Sequence, residues 1–282
     1  MNKNIKFAFF GTPDVASETL EILKSNGYIP SLIITSPDKP KGRKMLITPP
    51  PVKVWATENN IPCLQPEKLD EEFIYNLKPI TYNLFIVVAY GKILPEDLIN
   101  SPKFGSINIH YSLLPKYRGA SPVESAILNG DVKTGVTIQK MEYKMDSGPI
   151  VTQEKVEIFP DEKAPELRER LIKIGGELLV KTLNTTPLPF GHSPLSGGNL
   201  TPQNENEATY CKKIKKEDGL IDLEALPPSD LYNKFRAYAT WPRTFFFQNG
   251  KRIIITDAKL EDNKFVIKKV IPEGGKETDY SN

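Results

Sequence analysis

Cysteine is nearly missing: Cys63 and Cys211 are the only two in 282 residues. They lie far apart and no short Cys/His cluster accompanies them. A disulfide framework and a zinc site are therefore disfavoured, and no metal is expected. Two lone thiols suit reduced, structural positions in a cytoplasmic protein. Histidine is as scarce, with only His110 and His192. Long apolar runs are lacking too. Phe7 to Phe10 is too short for a signal-peptide core and meets Gly-Thr-Pro at once. The longest later run, Leu84 to Tyr90, falls far below the roughly 20 residues of a membrane span. We expect a soluble, unexported chain with no membrane partner. Excess charge is also absent: 37 basic against 35 acidic residues leave +2, so only local charge can announce a polyanionic partner. Finally, Gly11-Thr12-Pro13-Asp14 supplies one glycine where a G-x-G-x-x-G turn needs three, which disfavours NAD. The N-terminus of the helix that follows keeps its attraction for anions.

What is present reads as an α/β protein with a Rossmann-like, mostly parallel sheet, then a linker, then a small β-rich domain. Ile5 to Phe10 reads as a buried strand, with Thr12 as helix cap, Pro13 at the first helical position and the helix ending near Ser25. Ile29 to Thr35 is a second strand. Val52 to Asn59 is a helix with Trp55 in the core, Ile61 to Leu64 a short strand and Glu67 to Leu77 a helix. Leu84 to Gly91 is continuous and β-prone, hence a central parallel strand. Ser121-Pro-Val-Glu124 spells a capping box opening a helix to Asn129. Thr134 to Met141 and Ile150 to Ile158 read as paired strands with Asp146 at the tip between them. Pro165 to Leu183 is a helix closing the first domain, residues 1–185. Residues 186–206 fall in a Pro- and Gly-rich stretch, a linker that holds His192 as a surface residue. Residues 207–282 follow: an amphipathic helix from Ser229 to Tyr238, then a hairpin around Asn249-Gly250 with a type I′ turn, then a strand from Lys264 to Ile271. These suit an OB-like barrel, reduced or truncated because the chain stops soon after IPEGGKETDY.

The chemistry concentrates between Gly105 and Ile150. Asn108 and His110 stand two apart in an apolar run, so on a strand they share one face. Asp146 sits in the loop Lys-Met-Asp-Ser-Gly. Asn can donate to an oxygen that becomes negative in a tetrahedral intermediate. His can shuttle a proton near neutral pH. Asp can orient and charge-stabilise the imidazole or hold a water. No Ser or Cys nucleophile is needed when the substrate is itself an amine. Each residue alone also has a bland reading, as a satisfied polar group on a half-buried strand or as a turn former.

N-x-H followed at once by SLLPKYRG, with the aspartate thirty-six positions beyond His110, resembles the folate-dependent formyltransferases. That resemblance implies that Asn108, His110 and Asp146 form the catalytic set and that Ser112, Leu113, Leu114 and Pro115 line the folate site. The VVAYG ending, with Ala89, Tyr90 and Gly91, is similar to the family's wall of the pterin pocket. PDKPKGRK followed by PPPVK, with Lys39, Lys41, Arg43 and Lys44, resembles the loop that members acting on charged tRNA insert against the acceptor end. It is one residue shorter than the commoner pattern. ATYCKKIKKEDGLIDL, with Lys212, Lys213, Lys215 and Lys216, resembles the entry to the tRNA-binding C-terminal domain. Taken alone, both basic clusters read as solvated stretches. The resemblance further implies formyl transfer from 10-formyltetrahydrofolate, as co-substrate, to the α-amine of methionine on initiator tRNA. No exposed self-pairing signal stands out, so a monomer is expected. Arg118 can position an anionic substrate group or be exposed; the residues leave both open. Three other readings exist. The basic loop argues against a transferase for amino sugars, the retained Asn, His and Asp against a silent RNA-binding protein, and the missing glycines against a nucleotide-dependent oxidoreductase.

Overall fold

The computed structural model describes residues 5–42, 44–77, 82–185 and 200–281. Arg43, His192 and most of the Pro/Gly-rich stretch lie outside the described residues. The first elements in chain order are β1 (Phe7–Gly11), α1 (Asp14–Ser25), β2 (Leu32–Ile34), β3 (Lys39–Lys41), β4 (Leu46–Thr48), α2 (Pro51–Glu58), β5 (Cys63–Leu64), α3 (Glu71–Leu77), β6 (Leu84–Val88), α4 (Glu96–Ile99) and β7 (Ser106–His110). Then come β8 (Arg118–Gly119), α5 (Pro122–Leu128), β9 (Lys133–Lys140), β10 (Ile150–Glu157) and α6 (Ala164–Asn184). The chain ends with β11 (Tyr210–Cys211), α7 (Pro228–Ala237), β12 (Phe245–Gln248), β13 (Lys251–Glu261), β14 (Lys264–Pro272) and β15 (Thr278–Asp279).

Seven strands form one sheet in the order β10-β9-β7-β6-β1-β2-β5. The five strands from β7 to β5 are mutually parallel, and β9 runs antiparallel to β7. β1 and β6 lie at the middle, buried along their whole length. Continuous apolar runs suit strands covered on both faces, whereas an alternating strand would leave one face to water. From β1 the chain builds first toward β5, then returns to the other side of β1 with β6. The order therefore reverses between β1 and β6, and ligands of open α/β sheets bind beyond the carboxyl ends of strands at such a point.

Thr12 sits at that point, but not as a helix cap. Pro13 occupies the cap position of α1 without a side-chain bond, and the helix starts one residue later than expected. The Thr12 hydroxyl instead donates to the Tyr90 carbonyl at 3.0 Å and lies 3.2 Å from Ser36 Oγ. It ties together the turns after β1, β2 and β6. The Ser121 capping box also fails to form: Ser121 makes no cap bond, and Glu124 pairs with Arg168 instead. In both places a tertiary partner outcompetes the local bond. On α6, Gly175 and Gly176 allow close packing. A side chain at 175 would press Ile109 and Val136, and one at 176 would meet Ile22 Cδ1 at 2.6 Å.

Among the described residues, contacts group the chain into two compact units that do not follow chain order. One takes residues 1–115, 136–154 and 172–208; the other takes 116–135, 155–171 and 209–282. The second contains the expected small β-rich part, a four-stranded antiparallel sheet in chain order from β12 to β15. Its core joins Leu231, Tyr232 and Phe235 of α7 to Phe246, Ile253, Ile255 and Val270 of the sheet. Asn249 and Gly250 both have positive φ, 50° and 74°, as a type I′ turn requires. Asp262 and Asn263 make a second such turn, at 48° and 58°, which the sequence reading passed over.

Candidate active site

The site is built on three adjacent strands. In β7, Asn108 lies opposite Val87 of β6 on one side and Gln139 of β9 on the other. His110 lies opposite Thr137 of β9. Alternation sends Asn108 and His110 to one face while Ile107 and Ile109 are buried on the other. Asn108 is half-buried and His110 buried. The Asn108 amide is oriented from both sides. Its Nδ2 donates to the Val87 carbonyl at 3.0 Å, and its Oδ1 accepts from Gln139 Nε2 at 3.3 Å. One amide hydrogen is thereby engaged, and among the described residues none accepts the second.

Asp146 reaches the same place from the turn between β9 and β10. Gln139 Nε2 donates to its Oδ1 at 2.9 Å. Its Oδ2 lies 3.7 Å from His110 Nδ1, too far for a hydrogen bond and close enough for charge to matter. Such contacts often tighten only when substrate is bound. Asp146 adopts a left-handed backbone, φ 50°, a conformation that Asp tolerates better than most residues. Gly148 lets the turn close: a Cβ there would lie 1.8 Å from the Lys140 carbonyl oxygen. Gly148→Ala is therefore expected to open the turn, withdraw Asp146 from His110 and lower kcat about 10²-fold. Steady-state kinetics beside a melting curve would check this; a fully active variant would free Asp146 from dependence on the turn.

The segment after β7 is stitched to β9 through one hydroxyl. Thr137 Oγ1 donates to the Ser112 carbonyl at 2.6 Å and accepts from Leu114 N at 3.1 Å. Gln153 Nε2 adds bonds to Thr137 Oγ1 and the Leu114 carbonyl, at 2.8 and 2.9 Å. Ser112 and Leu114 are buried, while Leu113 and Pro115 are half-buried. Past the carboxyl end of β6, Ala89 and Gly91 are exposed with positive φ. Tyr90 turns inward, its ring edge-on to Phe10 at 5.5 Å. Burial pushes its phenol up to about 12. The backbone of 89–91, rather than the tyrosine side chain, faces the outside.

The Pro-rich basic stretch, read above as a loop, contains a short hairpin, β3 with β4. Pro40 is tolerated there because a two-stranded ribbon leaves an N–H free of the ladder. Lys39, Lys41 and Lys44 are exposed, as are Met45, Leu46 and Ile47 beside them. Asp38 serves as the anchor at the hairpin's foot. Lys53 Nζ reaches both its oxygens at 2.8 and 2.9 Å, and Gln65 donates at 2.7 Å. The Lys53 bond first, then that of Gln65, holds the carboxyl below its usual range. In the second unit Lys212, Lys213, Lys215 and Lys216 are all exposed, and they follow β11, which pairs with β8. Gly119 permits that pairing, since a Cβ there would meet the Cys211 carbonyl at 2.3 Å. Arg118 is fully buried, which removes the exposed one of its two readings, with its guanidinium 3.4 Å from the Tyr210 hydroxyl.

Asn108, His110 and Asp146 thus come together, with Gln139 touching two of them. Sequence reading missed Gln139, Thr137 and Gln203. The available signal was period-two polarity: Thr137 and Gln139 alternate with apolar residues in a strand otherwise fit for a core. Gln203 carried no local signal.

Two family models match the chain. One, described as formyl transferase, covers residues 3–183, and one described as formyl transferase, C-terminal domain, covers residues 213–278. A curated methionyl-tRNA formyltransferase of Caldicellulosiruptor saccharolyticus is 39% identical over 259 residues, 89% of this chain and 79% of that protein. Among solved structures, methionyl-tRNA formyltransferase from Clostridium thermocellum superposes with a TM-score of 0.61 at 16% identity, covering 98% of this chain and all of that one. An N-formyltransferase from Helicobacter canadensis, in complex with folinic acid and dTDP-3-aminofucose, gives 0.66 at 22% identity, covering 91% and 89%. At these identities the structures speak to fold.

Proposed function

The chain belongs to the formyl transferase family, and from that premise we infer how its residues serve the reaction. It is an enzyme that transfers a formyl group to the α-amine of methionyl initiator tRNA, the step that readies this tRNA for translation initiation. The donor we assign is 10-formyltetrahydrofolate, seated against Ser112 to Pro115 and the 89–91 turn.

The carrying observation is the convergence of Asn108, His110 and Asp146 beside the strand ends, with Gln139 bonded to the first and the last. The amine nitrogen attacks the formyl carbon, and a tetrahedral carbon with a negative oxygen results. The second Asn108 N–H and the His110 imidazole stabilise that oxygen. The bond from carbon to the folate nitrogen then breaks. The amine loses a proton and the departing nitrogen gains one, through His110 or a water held by Asp146. An α-amine attacks only when neutral, and esterification of its carboxyl lowers its basicity. Charged tRNA is thus a better nucleophile than free methionine.

The deciding experiment offers the purified protein 10-formyltetrahydrofolate with charged initiator tRNA or with a nucleotide-linked amino sugar. Formylation of the tRNA is expected. Formylation of the sugar alone would overturn the reading. The exposed lysines are assigned to the phosphate backbone, whose contacts raise affinity without reading sequence. Lys39, Lys41 and Lys44 changed together to Ala should raise KM for tRNA and flatten its logarithmic salt dependence by about one per lost phosphate contact. Folate affinity should not move; a fall in folate affinity instead would reassign the hairpin.

A further inference from the structure

We propose that Gln139, with its orientation set by Gln203, is the positioning residue that holds Asn108 and Asp146 in working register. This rests on the formyl-transfer reading above. Gln139 is 2% exposed, and its amide makes two bonds through one nitrogen. Nε2 donates to Asn108 Oδ1 at 3.3 Å and to Asp146 Oδ1 at 2.9 Å. Each bond has a separate consequence.

The bond to Asn108 decides which way that amide points. With Oδ1 turned toward Gln139 and one N–H on the Val87 carbonyl, the other N–H has a single direction left. Without Gln139 the amide can rotate, offering a carbonyl where the reaction needs a donor. The bond to Asp146 occupies Oδ1 and leaves Oδ2 turned to His110. One side chain thus orients the oxyanion donor and the partner of the imidazole together.

Gln139 must itself be oriented, because a flipped amide would set its carbonyl against a carboxylate. Gln203 supplies the direction. Its Nε2 lies 3.5 Å from Gln139 Oε1 and donates to the backbone carbonyls of Asp146 and Gly148 at 2.9 and 2.7 Å. With its two hydrogens on those carbonyls, this nitrogen fastens the turn that carries Asp146, and through the longer shared contact its positive edge faces Gln139 Oε1 and favours the observed orientation. Ile150 and Thr201 bond reciprocally through their backbones, at 2.8 and 2.9 Å, and bring Gln203 alongside.

Gln139→Met keeps volume and removes both bonds. Gln139→Glu keeps shape and turns the donor into an acceptor facing a carboxylate. The expected result is a kcat lowered about 10- to 100-fold in the first, as for a small misplacement of reacting groups, and further in the second. KM for the formyl donor should stay within about two-fold in both, as expected when ground-state binding is untouched. A merely structural role would move the melting midpoint and KM along with kcat. That outcome, or a Met variant with wild-type kcat, overturns the proposal. Side-chain amide NMR of Asn108 reads the same point without turnover: its NH₂ signals should shift and exchange faster with solvent in Gln139→Met. If the wild type forms no formylated tRNA, the functional reading fails, and the Asn108 signals decide alone. Altered signals support the positioning and unaltered signals overturn it.

Discussion

His110→Ala is expected to abolish formyl transfer while the protein still folds and still binds its folate donor. The imidazole can both give and take a proton. Losing general acid–base help costs about 10²–10⁴ in rate, and losing one donor to the developing oxyanion costs a further 10²–10³, about 2.7–4 kcal/mol. Terms that act through one residue overlap, so a fall of at least about 10³ is the firm expectation. His110 is 6% exposed and lies opposite Thr137, so its removal leaves a small cavity and touches none of the Thr137 bonds that hold Ser112 and Leu114. Folate titration by fluorescence should therefore resemble the wild type. Turnover within ten-fold of wild type would remove His110 from the chemistry.

Asp146→Asn is expected to be nearly as damaging, for a reason its small change of shape conceals. The Gln139 Nε2–H still needs an acceptor, so the new amide must turn its oxygen to Gln139 and its NH₂ to His110. A donor then faces Nδ1 in place of an acceptor, and the imidazole is pushed into the opposite tautomer. In serine proteases the equivalent change costs about 10⁴ in kcat with the geometry preserved. A loss of about 10³–10⁴ is expected here, with the melting midpoint little changed. Near-normal turnover in Asp146→Asn would show that the carboxylate orients nothing that matters.

The two expectations differ in how much sequence could supply. Asn108 and His110 were legible because a strand has a period of two and because an amide and an imidazole are odd company for Ile107 and Ile109. That β6 lies at the centre followed from its uninterrupted apolar run. The Asn249-Gly250 turn followed from the strong preference of that pair for the positive-φ backbone of a type I′ turn. Asp146 could be named, yet its approach to His110 depends on β9 and β10 lying side by side and on Gly148 fitting against Lys140. Where a polar side chain had both a local and a distant partner, the local expectation failed. Thr12 and Ser121 were read as helix caps, yet neither caps its helix. Thr12 bonds the Tyr90 carbonyl, and the expected box partner of Ser121, Glu124, pairs with Arg168.

Composition and periodicity by themselves determined the class of sheet, the strand that bears the amide and imidazole, and the chemistry those groups can perform. Such properties reside in single residues and their near neighbours. Tertiary structure alone decided that Gln139 bridges two of the three groups, that Gln203 fastens the turn from more than fifty positions away, and that Arg118 is buried beside Tyr210. Hydrogen bonds between distant segments exist only once the strands have taken their register, and register is a property of the whole sheet.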